Sequence, residues 1–292
     1  MKRFYIKHNK RLVWIPIAIM LISLAIVINH TIKTGDIVQK DVTLAGGVTA
    51  TIYTQTSVSE MEDMLNERFG LEVLVRKLAE FGTDEQIGLI IESSDIKGEE
   101  LRTFLQENLG EEVTEENLSI EETGSSLGES FYRQMIIAIG IAFILMSIVI
   151  FIAFRSVIPS LAVVLAALAD MIAALAFIDL VGIRLSTSGI AAILLLMGYS
   201  IDTDVLLTTK VLKRKEGTIM ERVFSSMATG LTMTCTTIVA LTVGYFVSNS
   251  FLLKQMFIIL IAGLFIDIIM TYMLNTRILI WYTAKKEKAD IE

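Results

Sequence analysis

The chain has 292 residues, 53% of them hydrophobic and only 2 of them proline, with a mean hydropathy of +0.64. That average excludes a disordered chain, a collagen-like chain and almost any soluble globular domain, and a single cysteine, Cys235, excludes a disulfide framework or a cysteine-rich metal site. The net charge of -7 divides unevenly: from Lys33 to Glu129 there are 22 acids and 7 bases, net -15, and elsewhere 10 acids and 18 bases, net +8. An acidic, soluble insert interrupts a basic, oily frame. The sequence reads as an integral membrane protein.

A spanning helix needs about 20 mostly apolar residues to cross roughly 30 Å of hydrocarbon. After a short N-terminus (residues 1–11), Leu12 to Ile32 contains no Lys, Arg, Asp or Glu and supplies the first span. Its apolar run is too long for a cleaved secretory signal, and no small-residue cleavage site follows, so it reads as an uncleaved anchor.

The insert with its linkers occupies residues 33–132. Val48 to Tyr53 alternates β-branched residues, the pattern of a strand. Ser57 to Phe69 opens with Ser57 and Glu60 at capping-box spacing, which predicts a helix. Leu71 to Val75 and Ile87 to Ile91 predict two further strands. Lys97 to Leu109 sets Leu101, Phe104, Leu105 and Leu109 at helical intervals and ends at Gly110. Leu118 to Glu121 predicts a last strand. The order β-α-β-β-α-β is that of an α+β ferredoxin-like unit, a fold that hosts many functions. The insert has no His or Cys, and its scattered carboxylates form either a solvated face or a surface for extended polypeptide or a partner.

Residues 133–284 hold the other five spans: Gln134 to Phe154, Ser156 to Ile178, Leu185 to Thr209, one within Val223 to Leu253, and Gln255 to Thr276. The uncharged stretch Val223 to Leu253 exceeds one span, so part of it must be loop or tilt. Residues 285–292 form a tail. Lys and Arg in short loops set orientation. They cluster before the first span, at Arg155, from Lys210 to Arg222, and from Arg277 to Lys288, with only Arg184 and Lys254 in the opposite short loops. The expectation is a six-span helical membrane protein with both termini cytoplasmic and the insert outside.

An ionised carboxylate at a helix centre costs about 2.5–3.5 kcal/mol even on insertion scales, which makes Asp170, Asp202, Asp204 and Asp267 the candidate functional residues. By helical rise, Asp202 and Asp267 share a depth in the inner half, about 12 and 15 Å from Lys210 and Arg277, while Asp170 sits further out, about 21 Å from Ser156. Asp202 and Asp204 are about 200° apart around a helix and cannot face one partner. No Lys or Arg lies at matching depth. Such acids must be protonated, bind a cation, face a base from another subunit, or simply bond hydroxyls within the bundle. Thr229, Thr232 and Thr236 form one hydroxyl face, either helix-packing glue or a polar lining, with Thr234 turned away. Cys235 reads as a small buried packing residue, His30 as a snorkelling interface residue, Asp179 and Arg184 as interface charges, and Gly198 as a loosening point before the acids.

Gly198-Tyr199-Ser200-Ile201-Asp202-Thr203-Asp204 resembles the G-Y-S-I/V-N-D-T signature of the SecF family, the smaller subunits of SecD–SecF protein-export complexes. Leu44 to Val48, with Gly46 and Gly47, resembles that family's D-F-x-G-G-T entry to the external domain. Phe154-Arg155, Pro159 to Asp170, Leu185-Ser186-Thr187 and Thr236-Thr237 fit in order, so the resemblance covers about residues 10 to 280. It implies half of a resistance-nodulation-division (RND) type bundle, a SecD-type partner, the Sec translocon channel, transient contact with exported polypeptides, and use of the proton-motive force. The family acid falls on Thr203 here, so the carboxylate moves by one residue, to Asp202 or to Asp204. A bacterial span-five Arg aligns near Thr229, and Asp267 replaces a small residue. These departures fit an archaeal branch.

No G-x-x-x-x-G-K-[ST] stretch binds ATP phosphates, no basic aromatic patch suggests nucleic acid, and no cofactor or enzymatic activity is expected. An intramembrane aspartyl protease would need acids at one depth and lacks its Gly-x-Gly-Asp and Tyr-Asp signature. Half of an RND-type lipid or drug exporter, or a purely structural bracing subunit, are the competing readings.

Overall fold

The computed structural model describes residues 11–70, 73–79, 85–109, 113–114, 117–213 and 216–289. Helix α1 (Trp14–Thr34) leads through a linker and a short helix α2 (Val42–Ala45) into strand β1 (Gly47–Ile52). Helix α3 (Val58–Phe69), strands β2 (Leu74–Ala79) and β3 (Gln86–Ser93), helix α4 (Gly98–Leu109) and strand β4 (Leu118–Thr123) follow. The described residues that follow are mostly helical: α5 (Ser125–Phe154), α6 (Val157–Val181), α7 (Thr187–Lys213), α8 (Ile219–Val247), α9 (Phe251–Ile269), a π-helical turn (Met270–Asn275) and α10 (Thr276–Ala289). Among the described residues six helices are long and apolar enough to cross a membrane, the sixth running from Phe251 to Lys286 through the π turn.

The sheet has the order β2-β3-β1-β4, and every neighbouring pair is antiparallel. Val48, Ala50 and Ile52 alternate inward along β1. They meet Val75, Leu89 and Ile91 from the sheet and Met61, Leu65, Leu101, Phe104 and Leu105 from α3 and α4. Ser57 caps α3 by accepting the Glu60 N–H at 3.3 Å. The second strand lies later than the sequence pattern suggested, at Leu74–Ala79, paired along β3 with a bulge at Leu78/Ala79. Leu71 and Gly110, which entered those expectations, lie outside the described residues.

Gly46 and Gly47 join this unit to the bundle. Their φ angles, 84° and 137°, suit glycine. A side chain at Gly46 would strike the Ser125 backbone, and one at Gly47 would strike the Ser93 carbonyl. The two glycines thus let β1 leave α2 while pressed against the start of α5. Helix α5 begins at Ser125, nine residues before the span Gln134 to Phe154 read from hydropathy. At 1.5 Å per residue its 30 residues extend about 45 Å, beyond the hydrocarbon thickness.

Helix α6 lies at the centre of the bundle, contacting α1, α5, α7 and α9. Its buried face carries Ala162, Ala166, Ala169, Ala173 and Ala176, small enough for close helix approach. Gly263 of α9 sits directly against Leu196 of α7 in the same way. The long uncharged stretch resolves into α8, capped by a reciprocal Thr218–Glu221 box, then a turn at residues 248–250 and the start of α9. Gly198 does not loosen α7, which continues unbroken through it. The irregularity falls instead in the last span, at the π turn.

Candidate functional site: an acid cluster inside the helix bundle

Asp267, Thr271 and Asn275 are spaced four apart, so they ride one face of the last span. That face meets α7, where Ser200 and Asp204 are also four apart, and α6, which brings Asp170. Asp170 is 1% exposed; Ser200, Asp204, Asp267, Thr271 and Asn275 are all fully buried. Ser200 Oγ donates to Asp170 Oδ2 at 2.6 Å. Thr271 Oγ1 lies 2.8 Å from Asp204 Oδ1 and 3.2 Å from Asp267 Oδ1, and its single proton serves one at a time. Asn275 Nδ2 donates to the same Asp204 oxygen at 2.7 Å. Asp267 also lies beside Asp170 and Ser200. Three carboxylates from three helices therefore form one network.

The π turn shapes its lower edge. Thr276 Oγ1 donates to the Thr271 carbonyl five residues back, at 3.0 Å. π turns inside helices recur at functional positions. Tyr272 is 3% exposed, and its hydroxyl fills the space left by Gly230 of α8. Thr203, where the resembling family carries its acid, is also buried and donates to its own helix at Tyr199 O, 3.2 Å away.

Each acid of the network keeps one oxygen without a hydrogen-bond partner among the described residues: Asp170 Oδ1, Asp204 Oδ2 and Asp267 Oδ2. No Lys or Arg ion-pairs with them among the described residues. Neither is any group of three or more His, Cys, Asp or Glu among those residues placed to hold a metal ion. Buried carboxylates without a base carry a large desolvation penalty. What the arrangement can do chemically is hold and exchange protons among neighbouring oxygens.

Helical rise sets Asp170 further out than Asp267, yet the two are adjacent. Counting rise from span ends assumes parallel helices starting in one plane, and these helices differ in length and are staggered. Asp202 does not join the network: it is exposed on the outer face of α7, beside Tyr199. Thr229, Thr232 and Thr236 are exposed as well, each bonded to a carbonyl four residues back, whereas Thr234 is buried. Thr229 also accepts from Lys210 Nζ at 2.8 Å, a base reaching across from α7.

Two smaller expectations change too. Cys235 is exposed on α8 rather than buried. His30 does not merely snorkel, because its Nδ1 pairs with Asp179 and so fastens α1 to α6. Thr271 and Asn275 were missed, although the Asp-x-x-x-Thr-x-x-x-Asn spacing in an apolar span was available as a signal.

A family model described as "Protein export membrane protein SecD/SecF, C-terminal" matches residues 105–285, a stretch that includes the last five spans. SecF of Methanolacinia petrolearia is 36% identical over 284 residues, covering 96% of this chain and 95% of its own. SecF of Methanothermobacter thermautotrophicus is 37% identical, with 95% and 93% covered. This chain belongs to the SecF family. SecF of Pyrococcus furiosus, 35% identical over 279 residues, is a further relative. Among solved structures, SecDF of Thermus thermophilus, titled a translocon-associated membrane protein, superposes with a TM-score of 0.73 at 18% identity. At that identity the likeness speaks to fold alone. It covers 96% of this chain, which spans only 38% of the SecDF chain. The family identity and the six apolar helices make this a multi-pass membrane protein of the protein-export class.

Proposed function

We propose that this chain is the SecF half of an export complex. It pairs with a SecD-type subunit and uses the proton or another cation gradient to promote passage of polypeptides through the Sec channel. The observation that carries the reading is the division of the membrane acids. Asp170, Asp204 and Asp267 face inward and are sealed from solvent, while Asp202 faces outward. An outward carboxylate in the middle of an apolar helix is costly against lipid. It is satisfied when the outer face of α7, with Tyr199 and the Thr229–Lys210 pair nearby, packs against a second half-bundle. The inner trio, which no Lys or Arg pairs among the described residues, is suited to take up and release protons. In this reading both termini are cytoplasmic, residues 33–132 form an external ferredoxin-like domain, and the chain has no catalytic activity of its own.

One observation favours a second reading, structural bracing. Asp170 and Asp204 each already accept from a hydroxyl or amide at 2.6–2.8 Å, as packing glue would. Co-purification with the SecD-type partner, followed by export into reconstituted vesicles with and without a pH gradient, separates the two. The proposal expects Asp202→Asn to weaken partner recovery, and Asp204→Asn with Asp267→Asn to keep the partner but lose the gradient's stimulation. If the trio variants lose the partner, or if wild-type export ignores the gradient, bracing replaces it.

A further inference from the structure

We propose that the sheet unit is held against the helix bundle by a proton-sensitive catch built from Asp41, Arg76, Glu92 and Phe251. Arg76 of β2 forks onto Glu92 of β3, Nη1 to Oε1 and Nη2 to Oε2, at 3.0 Å each. The guanidinium also lies 3.3 Å from the ring centroid of Phe251, the first residue of α9. A charged group of the sheet is thus clasped by an aromatic ring of the membrane bundle. In the α8–α9 turn, Asn249 Nδ2 reaches the carbonyl of Ala79 at the end of β2, 3.5 Å away.

The third wall is the linker from α1. Asp41 N donates to Leu185 O at 2.9 Å and Leu185 N to Gln39 O at 2.7 Å, a one-residue bridge to the α6–α7 turn. Asp41 is 2% exposed and Glu92 6%, so two carboxylates are buried together where sheet, linker and bundle meet. Beside them lies a cavity of about 470 Å³, lined by Gln39, Leu74, Arg76, Arg184 and Phe251 among others. The interface has room to give without unfolding either part.

The charged groups acting on Glu92 are Asp41 from the linker, Arg76 from β2 and Arg184 from the α6–α7 turn, while α9 contributes only the uncharged ring. Burial first, and then Asp41, push the Glu92 carboxyl up from 4.5 to about 7, against the pull of Arg76. The sign follows from linkage. A carboxyl that holds its proton more tightly when docked favours docking at low pH. That preference fades as the pH rises toward about 7 and changes no further above it. Burial within the sheet and the Arg76 fork persist when the unit lifts away, so only the share of the shift due to the linker and the bundle acts on docking, and the expected change in the docking equilibrium is about tenfold. On the outward orientation proposed above, the catch would read the external pH; the device itself does not depend on that orientation or on export.

The test is a pulsed electron-spin distance measurement on the full chain in detergent, with spin labels at Glu107→Cys and Leu180→Cys in a Cys235→Ser background. At pH 5 one short distance is expected. At pH 8 a second, longer population grows about tenfold. Asp41→Asn, which keeps the Arg76–Glu92 fork, lowers the midpoint of that change; Glu92→Gln abolishes the pH response; Phe251→Leu raises the long population at both pH values without moving the midpoint. A single unchanged distance at pH 5 and 8, or a full pH response in Glu92→Gln, overturns the proposal. Because no partner or export reaction enters the measurement, its failure leaves the functional reading intact.

Discussion

Thr271→Val tests the acid network most directly. Valine keeps the β-branched shape, so the space filled is almost unchanged, and the substitution removes one hydroxyl from a site with no solvent exposure. That hydroxyl stands 2.8 Å from Asp204 and 3.2 Å from Asp267. In soluble proteins a hydrogen bond to a charged group contributes about 1.5–3 kcal/mol. Between membrane helices, measured values average about 0.6 and reach about 1.7 kcal/mol. Asn275 still donates to the same Asp204 oxygen at 2.7 Å, so the smaller scale governs, and the expected cost is about 1 kcal/mol. Asn275→Leu alone is expected to cost about as much. Together they strip both donors from one buried carboxylate oxygen, and the double variant should exceed the sum of the singles by about 1 kcal/mol. Reversible unfolding in mixed micelles, followed by helical circular dichroism, measures all three. Additivity within about 0.3–0.5 kcal/mol would refute the idea that Thr271 and Asn275 serve one shared acceptor.

Other outcomes follow from the packing. Gly263→Val drives a side chain into fully buried Leu196 and should cost about 1–3 kcal/mol by overpacking; adding Leu196→Ala should recover part of that loss in the same micelle assay, and no recovery would mean the strain lies elsewhere. Gly46→Ala sets a side chain against the Ser125 backbone at a φ of 84° and should lower the thermal midpoint of the sheet unit while sparing the bundle, as judged by limited proteolysis. Engineered cysteines at Glu99 and Lys285, in a Cys235→Ser background, should label with an impermeant maleimide from opposite sides of sealed cells. Labelling of both from one side would overturn the proposed orientation.

Much of this architecture was legible because membrane and sheet patterns are long-range in sequence. About twenty apolar residues mark a span, and alternating Val48, Ala50 and Ile52 mark a strand whatever surrounds them. The Gly46-Gly47 pair was visible as a motif, but its reason was not: it needs the Ser125 and Ser93 backbones, which only tertiary contact supplies. The acid network was half legible. Carboxylates in apolar helices announce themselves, and the 200° between Asp202 and Asp204 already separated them. Their depth was not legible, because stagger between helices does not follow from where hydropathy begins. The hydroxyl and amide donors were hidden among ordinary Thr and Asn residues, and Thr229, Thr232 and Thr236, which looked equally functional, turned outward.

Asp-Thr-Asp places a carboxylate on each side of one helix, with buried Thr203 between them. Asp204 is fixed by Thr271 and Asn275 from the last span, so α7 cannot rotate freely without breaking bonds in a medium where no water replaces them. The outward direction of Asp202 is therefore set by the inner network rather than by its own surroundings. Loss of the inner donors and loss of Asp202 should accordingly differ in kind: the first unsettles the helix that aims Asp202, while the second leaves the network whole and changes only the face α7 presents outward.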